Sequence, residues 1–358
     1  MKMTKKTAGI ILIGISAFAL ALVVKADVPM PSKEKFKIVV LAGQSNMAGR
    51  GTRDAESAKP HPRVLMMNRA GEWVPCVDPI HFDIANSGVG PGKTFAEALA
   101  ESDPTITVGV VPCAVGGSPI SVWEPGKSFY KGKTDWHPYD DCLERTKKAM
   151  EQGTLAAILW HQGESDCSRK GGYLYQVRFP LLVLRLRKEF DAEGVPLIVG
   201  GLAQKKVSGF FGKIISNCQT LTCEYLYGPG RFVPARADYS LQPDGIHFST
   251  KSQRDFGKRY FEAFVNVKKA MAEDPQYWKK LTPPATLAPK GSVPYFVLAV
   301  GCRICYSALK RLKKRPIRTK EVHHENAKSS CTRRGNLPRH QPNLRPAISA
   351  RCRGEASA

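Results

Sequence analysis

Four short apolar runs, separated by stretches with helical spacing, constrain the fold of this chain more than any other feature. "FKIVVLA" (36–42), "TITVGVVP" (105–112), "LAAILW" (155–160) and "VPLIVGG" (195–201) are bounded by turn formers. Runs that stay apolar throughout, instead of alternating with polar residues, suit strands covered on both faces. Between and after them lie helical patterns. "TFAEALAE" (94–101) is short, and "YDDCLERTKKAMEQ" (139–152) runs into Gly153 as a C-cap. "YLYQVRFPLLVLRLRKEF" (173–190) contains Pro180, expected to kink the helix or to mark its true start. "STKSQRDFGKRYFEAFVNVKKAMAE" (249–273) opens on Ser249 or Thr250 as N-cap and sets Phe256, Tyr260, Phe264 and Val267 on one face. Strands alternating with helices predict an α/β fold, a doubly wound, mainly parallel sheet flanked by helices. Ligands of such sheets bind beyond the carboxyl ends of the strands. Chemistry is therefore expected in the loops that follow the runs.

Each loop carries it. After the first run comes "LAGQSNMAGR" (41–50), where Gly43 lets the chain turn sharply and presents Ser45 at the rim, as an accessible nucleophile requires. Met47 stands where the second glycine of a Gly-x-Ser-x-Gly elbow would be, and a glycine-flanked serine is also an ordinary turn. After the second run, "CAVGGSP" offers Gly116 and Gly117, whose backbone N–H groups can approach a ligand closely; an isolated glycine pair is equally a tight turn. "HQGESD" (161–166) follows the third run and supplies the Gln162 amide and the Glu164 carboxylate, the latter also suited to pairing with a base or capping a helix. Before the last helix, "PDGIHF" (243–248) places Asp244 three residues ahead of His247, the spacing for a carboxylate that orients a general base, and also for an Asx turn beside an exposed histidine. The conjunction of four such loops on one sheet carries the weight.

"GQSNMAGRG", "VGGSPISVW", "WHQGESD" and "PDGIHF", in that order, resemble the sialate O-acetylesterase-like branch of the SGNH hydrolases, which includes the sixth carbohydrate-esterase family of acetyl xylan esterases. The resemblance spans about Lys37 to Val267 and implies a flavodoxin-like three-layer sandwich and a serine esterase that removes acetyl groups from carbohydrates without a cofactor. By motif it implies Ser45 as nucleophile, His247 as general base, and the Ser45 and Gly117 N–H groups with the Gln162 side chain as oxyanion hole. Asp244 is the expected third member of the triad, with Glu164 the alternative. Gln44 and Asn46, beside the nucleophile, and Trp123 are candidate substrate contacts; Trp123 and Trp136 fit a sugar-stacking role and a core role equally. Two rival readings are a broad acyl esterase or lipase with a larger apolar acyl pocket, and a secreted carbohydrate-binding protein that keeps the fold without catalysis.

The ends of the chain read differently. Residues 1–26 combine Lys2, Lys5 and Lys6, an uncharged stretch from Ala8 to Val24, and the small-residue exit Val-Lys-Ala. That is the pattern of a cleaved signal for export, and the stretch falls short of the roughly 20 residues of a spanning helix. The esterase-like region is expected at 27–280. From Leu281 onward 16 Lys/Arg stand against 3 Asp/Glu, so +13 of the formal +23 lies in a Pro-rich linker and basic tail (281–358) that lacks apolar periodicity and is expected to be disordered. The charge therefore gives no reason to expect a nucleic-acid partner for the body, although the tail suits loose association with anionic surfaces. An exported chain with ten cysteines permits disulfides, Cys218 with Cys223 among them, while free buried thiols are equally open. Cys302, Cys305, His323, His324 and Cys331 match no familiar zinc spacing, and no metal is expected.

Overall fold

The computed structural model describes residues 30–281 except Asn86, Gly132 and Lys133. In chain order the elements are β1 (Phe36–Gly43), α1 (Ser45–Ala48), β2 (Val64–Met67), β3 (Trp73–Pro75), α2 (Gly92–Ser102), β4 (Thr107–Pro112), β5 (Phe129–Lys131), β6 (Thr134–Trp136), α3 (Pro138–Gln152) and β7 (Thr154–His161). They continue with α4 (Arg169–Glu189), β8 (Leu197–Gly200), α5 (Gln204–Val207), α6 (Phe210–Thr220), β9 (Gly230–Val233) and α7 (Thr250–Glu273). The signal and the tail beyond Leu281, with the tail cysteines and histidines, lie outside the described residues.

Seven strands form one sheet in the order β3-β2-β4-β1-β7-β8-β9. Every neighbouring pair is parallel except β2 with β3 at one edge. All four expected runs are strands, and β1, the most continuously apolar, is central. It pairs on one side with β4 and on the other with β7, so the order reverses around it. This is the doubly wound arrangement, and it puts the topological switch point at the C-terminal end of β1.

The faces explain the patterning. On one, Val39, Leu41, Val108, Leu159 and Ile198 meet Phe95 and Leu99 of α2 and the stripe Phe256, Tyr260, Phe264 and Val267 of α7. Each large side chain buried there contributes about 1.5–3 kcal/mol. On the other, Trp160 of β7 lies 5.6 Å, centroid to centroid, from Phe179 of α4, and α3 packs on β1 and β4. Ser249 caps α7, its hydroxyl accepting from the Ser252 N–H at 3.3 Å. Pro180 is not the start of its helix: α4 begins three turns earlier, with the Ser168 hydroxyl accepting from Gly171 N–H, and carries Pro180 in its interior. The six described body cysteines are all free thiols, Cys218 and Cys223 included. The Cys218 and Cys223 sulfurs approach the carbonyls of Tyr175 and Thr220 instead of each other. No helix among the described residues is long and apolar enough to cross a membrane.

Candidate active site

The strands β4, β1 and β7 lie side by side, so the loops that follow them converge on one point of the sheet edge. At the end of β1, Gly43 adopts φ +130, and a Cβ there would lie 2.2 Å from the His161 carbonyl oxygen. Only glycine allows the β1 and β7 backbones to close that tightly. The chain then turns, the Gln44 N–H donating to His161 O at 2.9 Å, and Ser45 becomes the first residue of α1. Met47 and Ala48 donate their N–H groups to Gln44 O, while the Ser45 N–H has no hydrogen-bond partner among the described residues.

The loop between β9 and α7 brings His247 to Ser45 across 202 residues of sequence. His247 Nε2 lies 2.8 Å from Ser45 Oγ, and His247 Nδ1 lies 2.6 Å from Asp244 Oδ2. The other Asp244 oxygen accepts the backbone N–H groups of Ile246 (2.8 Å) and His247 (3.0 Å). Burial alone would raise the Asp244 carboxyl, but these bonds from His247 and Ile246 outweigh it and bring it down to about 2. The carboxylate is thus ionised and aimed at the imidazole, the geometry of a Ser-His-Asp triad.

Gly117 follows β4, exposed and with φ +80, and its N–H has no protein partner among the described residues. The peptides around it are pinned. Gly116 N–H donates to Asp83 Oδ2 at 2.8 Å, Ser165 Oγ donates to Gly117 O at 3.0 Å, and Gln162 Nε2 donates to Ser118 O at 3.1 Å. Asp83 also takes the Arg50 guanidinium at 2.7 Å, which ties this loop to the Ser45 loop. Burial opposes ionisation of Asp83, yet the Arg50 charge prevails and holds its carboxyl below the usual range. Asp166 Oδ2 accepts from Gln162 Nε2 at 2.6 Å and from Ile120 N–H at 2.8 Å.

Several expected roles change on this geometry. Gln162 is fully buried and its amide nitrogen is used by Ser118 and Asp166, so it braces the Gly117 loop and offers no donor to an oxyanion in this arrangement. Glu164 does not reach His247; its Oε1 accepts from Asn46 Nδ2 at 2.6 Å, and burial raises its carboxyl pKa. Asn46 is no substrate contact. It is completely buried, its Nδ2 also donates to Ile246 O (3.3 Å), and its Oδ1 accepts from Phe248 N–H (3.1 Å) and Gln253 Nε2 (3.4 Å). One side chain next to Ser45 therefore grips the backbone on both sides of His247. Gln44 is buried as well, its Oε1 accepting from Ser165 N–H at 3.4 Å. Trp123 is a core residue, with its indole N–H on Ser118 Oγ at 3.1 Å and its ring edge-on to Trp160, and Trp136 is buried too. An aromatic beside the site is Phe129 of β5, whose Cζ lies 4.0 Å from where a Cβ on Gly117 would stand. Among residues not singled out from the sequence, Asp166 and Ser165 sat inside a quoted motif; Asp83 lies in an irregular stretch with no signal.

No group of three or more metal-ligating side chains occurs among the described residues. Residues 35–266, more than half of the chain, match the family model described as carbohydrate esterase, sialic acid-specific acetylesterase. A probable carbohydrate esterase of Arabidopsis thaliana is 28% identical over 266 residues, covering 66% of this chain and 92% of its own. The crystal structure of that plant protein superposes with a TM-score of 0.57 over 66% of this chain and 99% of its own, at 26% identity. NanS gives 0.53 over 67% and 100% at 17% identity, and a carbohydrate acetylesterase of Xanthomonas citri gives 0.50 over 66% and 57% at 19% identity; these two show likeness of fold.

Proposed function

We propose that this chain, which belongs to the sialic acid-specific acetylesterase family of carbohydrate esterases and is thereby a carboxylic ester hydrolase, releases acetate from O-acetylated sugars through an acyl-enzyme on Ser45. The observation that carries the mechanism is the line Ser45 Oγ to His247 Nε2 at 2.8 Å and His247 Nδ1 to Asp244 at 2.6 Å. In this reading His247 takes the Ser45 proton as the hydroxyl attacks the acetyl carbonyl. Negative charge then develops on the carbonyl oxygen, where the Ser45 and Gly117 N–H groups are the available donors; one such donor is typically worth about 2.7–4 kcal/mol. The sugar oxygen leaves with the proton returned by His247, and water releases acetate by the same steps. No step calls for a cofactor.

Phe129, at 4.0 Å from the Cβ position of Gly117, supports a small acyl group, because its ring bounds the space beside that donor. Export of the protein rests on the sequence of residues 1–26; N-terminal sequencing of the protein recovered outside the cytoplasm, beginning at Asp27, tests it.

Acetate release by the full chain and by Ser45→Ala, from p-nitrophenyl acetate, acetylated xylan and an O-acetylated sialic acid, tests the assignment. The expected result is loss of activity in the variant on every substrate. Equal rates for both proteins would refute the mechanism and favour a carbohydrate-binding role.

A further inference from the structure

Three aromatic side chains are exposed among the described residues: Tyr130, Tyr173 and Phe210. Two of them adjoin. Tyr173 lies in the first turns of α4, the helix that leaves the 161–166 loop, and Phe210 opens α6, which follows β8 by way of α5. Phe211 stands between them, its ring centroid 5.1 Å from that of Phe210 and 5.8 Å from that of Tyr173. Both helices start at the C-terminal edge of the sheet, the edge where Ser45 and His247 meet. Tyr130 is a separate case: it alternates with Phe129 along β5 and therefore occupies the opposite face of the hairpin from the residue beside Gly117.

α5 closes the gap between the rings and the catalytic turn. Lys205 Nζ lies 3.6 Å from where a Cβ on Gly245 would stand, between Asp244 and His247. The next residue of α5 packs against the start of α6: a Cβ on Gly212, the residue after Phe211, would lie 2.0 Å from the Lys206 carbonyl oxygen. Neither lysine forms an ion pair among the described residues. α5 thus links the His247 turn, where the Lys205 ammonium lies, to the start of α6 and the cluster of three rings.

A lone exposed aromatic is unremarkable, whereas a contiguous exposed patch beside a reaction centre marks a ligand surface. Tyr173 and Phe210 are 47% and 56% exposed, which forgoes stabilisation that burial would give. The mixture of chemistry suits a pyranose. Its C–H face stacks on an aromatic ring, and its hydroxyl oxygens accept from ammonium groups.

We propose that Tyr173, Phe210 and Phe211, with Lys205, bind sugar residues that flank the acetylated one, so that the substrate is a chain of sugars and not a free monosaccharide. This rests on the acetylesterase reading above and adds the size of the substrate to it. A p-nitrophenyl ester is too short to reach the rings, which gives the test its internal reference.

The test compares the full chain, Tyr173→Ala/Phe210→Ala and Ser45→Ala on p-nitrophenyl acetate, on acetylated monosaccharides, and on acetylated oligosaccharides of xylan, mannan and pectin. The two aromatics are exposed, so their removal leaves the fold intact, and unchanged turnover of p-nitrophenyl acetate verifies that. The wild type is expected to prefer at least one acetylated oligosaccharide over its own monosaccharide. The double variant is expected to raise KM for that oligosaccharide about tenfold, with kcat and both small substrates unaffected. An unchanged KM, or no oligosaccharide preferred by the wild type, overturns the proposal. So does a variant whose only change is loss of self-association in sedimentation, which would make the patch a protein interface. An active Ser45→Ala would instead sink the acetylesterase mechanism itself, so the two failures are distinguishable.

Discussion

Asn46→Ala is the most informative perturbation, because Asn46 touches the base only through the backbone. The substitution removes a hydrogen bond from the Glu164 carboxylate at 2.6 Å and two that hold the His247 segment, to Ile246 O and from Phe248 N–H. Phe248 and Gln253 are fully buried and Glu164 nearly so, so water does not replace the lost partners freely. A buried polar group left unsatisfied costs about 1–3 kcal/mol, and after local relaxation a total of about 2–4 kcal/mol is expected. With its flanking peptides released, His247 no longer holds Nε2 at 2.8 Å from Ser45. A displacement of about 1 Å in such a pair costs on the order of 10²-fold in rate. The expected outcome for p-nitrophenyl acetate is therefore kcat lowered about a hundredfold with KM nearly unchanged, alongside a lower unfolding midpoint in guanidinium. Asn46→Asp sharpens the test. It keeps an acceptor for Phe248 N–H but sets a second carboxylate against Glu164, so its activity should fall as pH rises and the shared proton is lost. Wild-type kcat and stability in Asn46→Ala would refute the reasoning. A selective rise in KM for the carbohydrate would return Asn46 to a substrate contact.

Asp244→Asn should lower kcat by roughly 10³–10⁴ by presenting the wrong tautomer of His247, whereas Glu164→Gln, one shell away, should retain most activity; the reverse order would make Glu164 the orienting acid. Asp83→Ala removes the carboxylate that accepts from Gly116 N–H and pairs with Arg50, loosening the Gly117 loop, so kcat should drop at least tenfold, with KM for p-nitrophenyl acetate constant and a smaller drop in Asp83→Asn. Phe129→Ala opens space beside Gly117, and the ratio of butyrate to acetate turnover should rise; an unchanged chain-length profile would remove Phe129 from the acyl pocket. Asp78 lies 7% exposed, and burial pushes its carboxyl from 3.8 up to about 7. Because the folded protein binds that proton more tightly than the unfolded chain, the contribution is fully present below about pH 4 and is lost as pH rises through about 7. Asp78→Asn should therefore stabilise the protein by up to about 4 kcal/mol at pH 8 and leave it near wild type at pH 4, as thermal unfolding at the two pH values will show.

How far the sequence could be read follows from which signals are local. Four of the strands and the helices α2, α3, α4 and α7 were legible because their periodicity is a property of neighbouring residues. β2, β3 and β9 were not: unlike β8, which sits inside the longer run 195–201, their three or four residues are not part of an extended apolar run bounded by turn formers. The motifs gave Ser45, Gly117, Asp244 and His247, whose geometry needs a serine, a glycine and an Asp-x-x-His step at loop positions. Which way a buried polar side chain points is another matter. Gln162, Asn46 and Trp123 have the composition of ligand contacts, yet each spends its N–H donors on backbone or side chains brought from over 40 residues away or from nearby in the same loop. Only the packed fold decides between those uses. Asp83 shows the converse, a carboxylate at the centre of the Gly117 loop whose surroundings in sequence resemble any coil.

The contact between Ser45 and His247 joins residues 202 apart, and His247 lies beyond the last strand of the sheet. At a synthesis rate of about 5–20 residues per second, the nucleophile waits roughly 10–40 s for its base to be made. During that interval the sheet can assemble around β1, but the segment that carries His247 and α7 is still missing. On the Ser45–His247 mechanism proposed above, a nascent chain has no working hydrolase until nearly all of the described region has emerged, and a product truncated before Asp244 is expected to be inert toward acetyl esters. On that mechanism, activity waits for synthesis of the segment that carries Asp244 and His247.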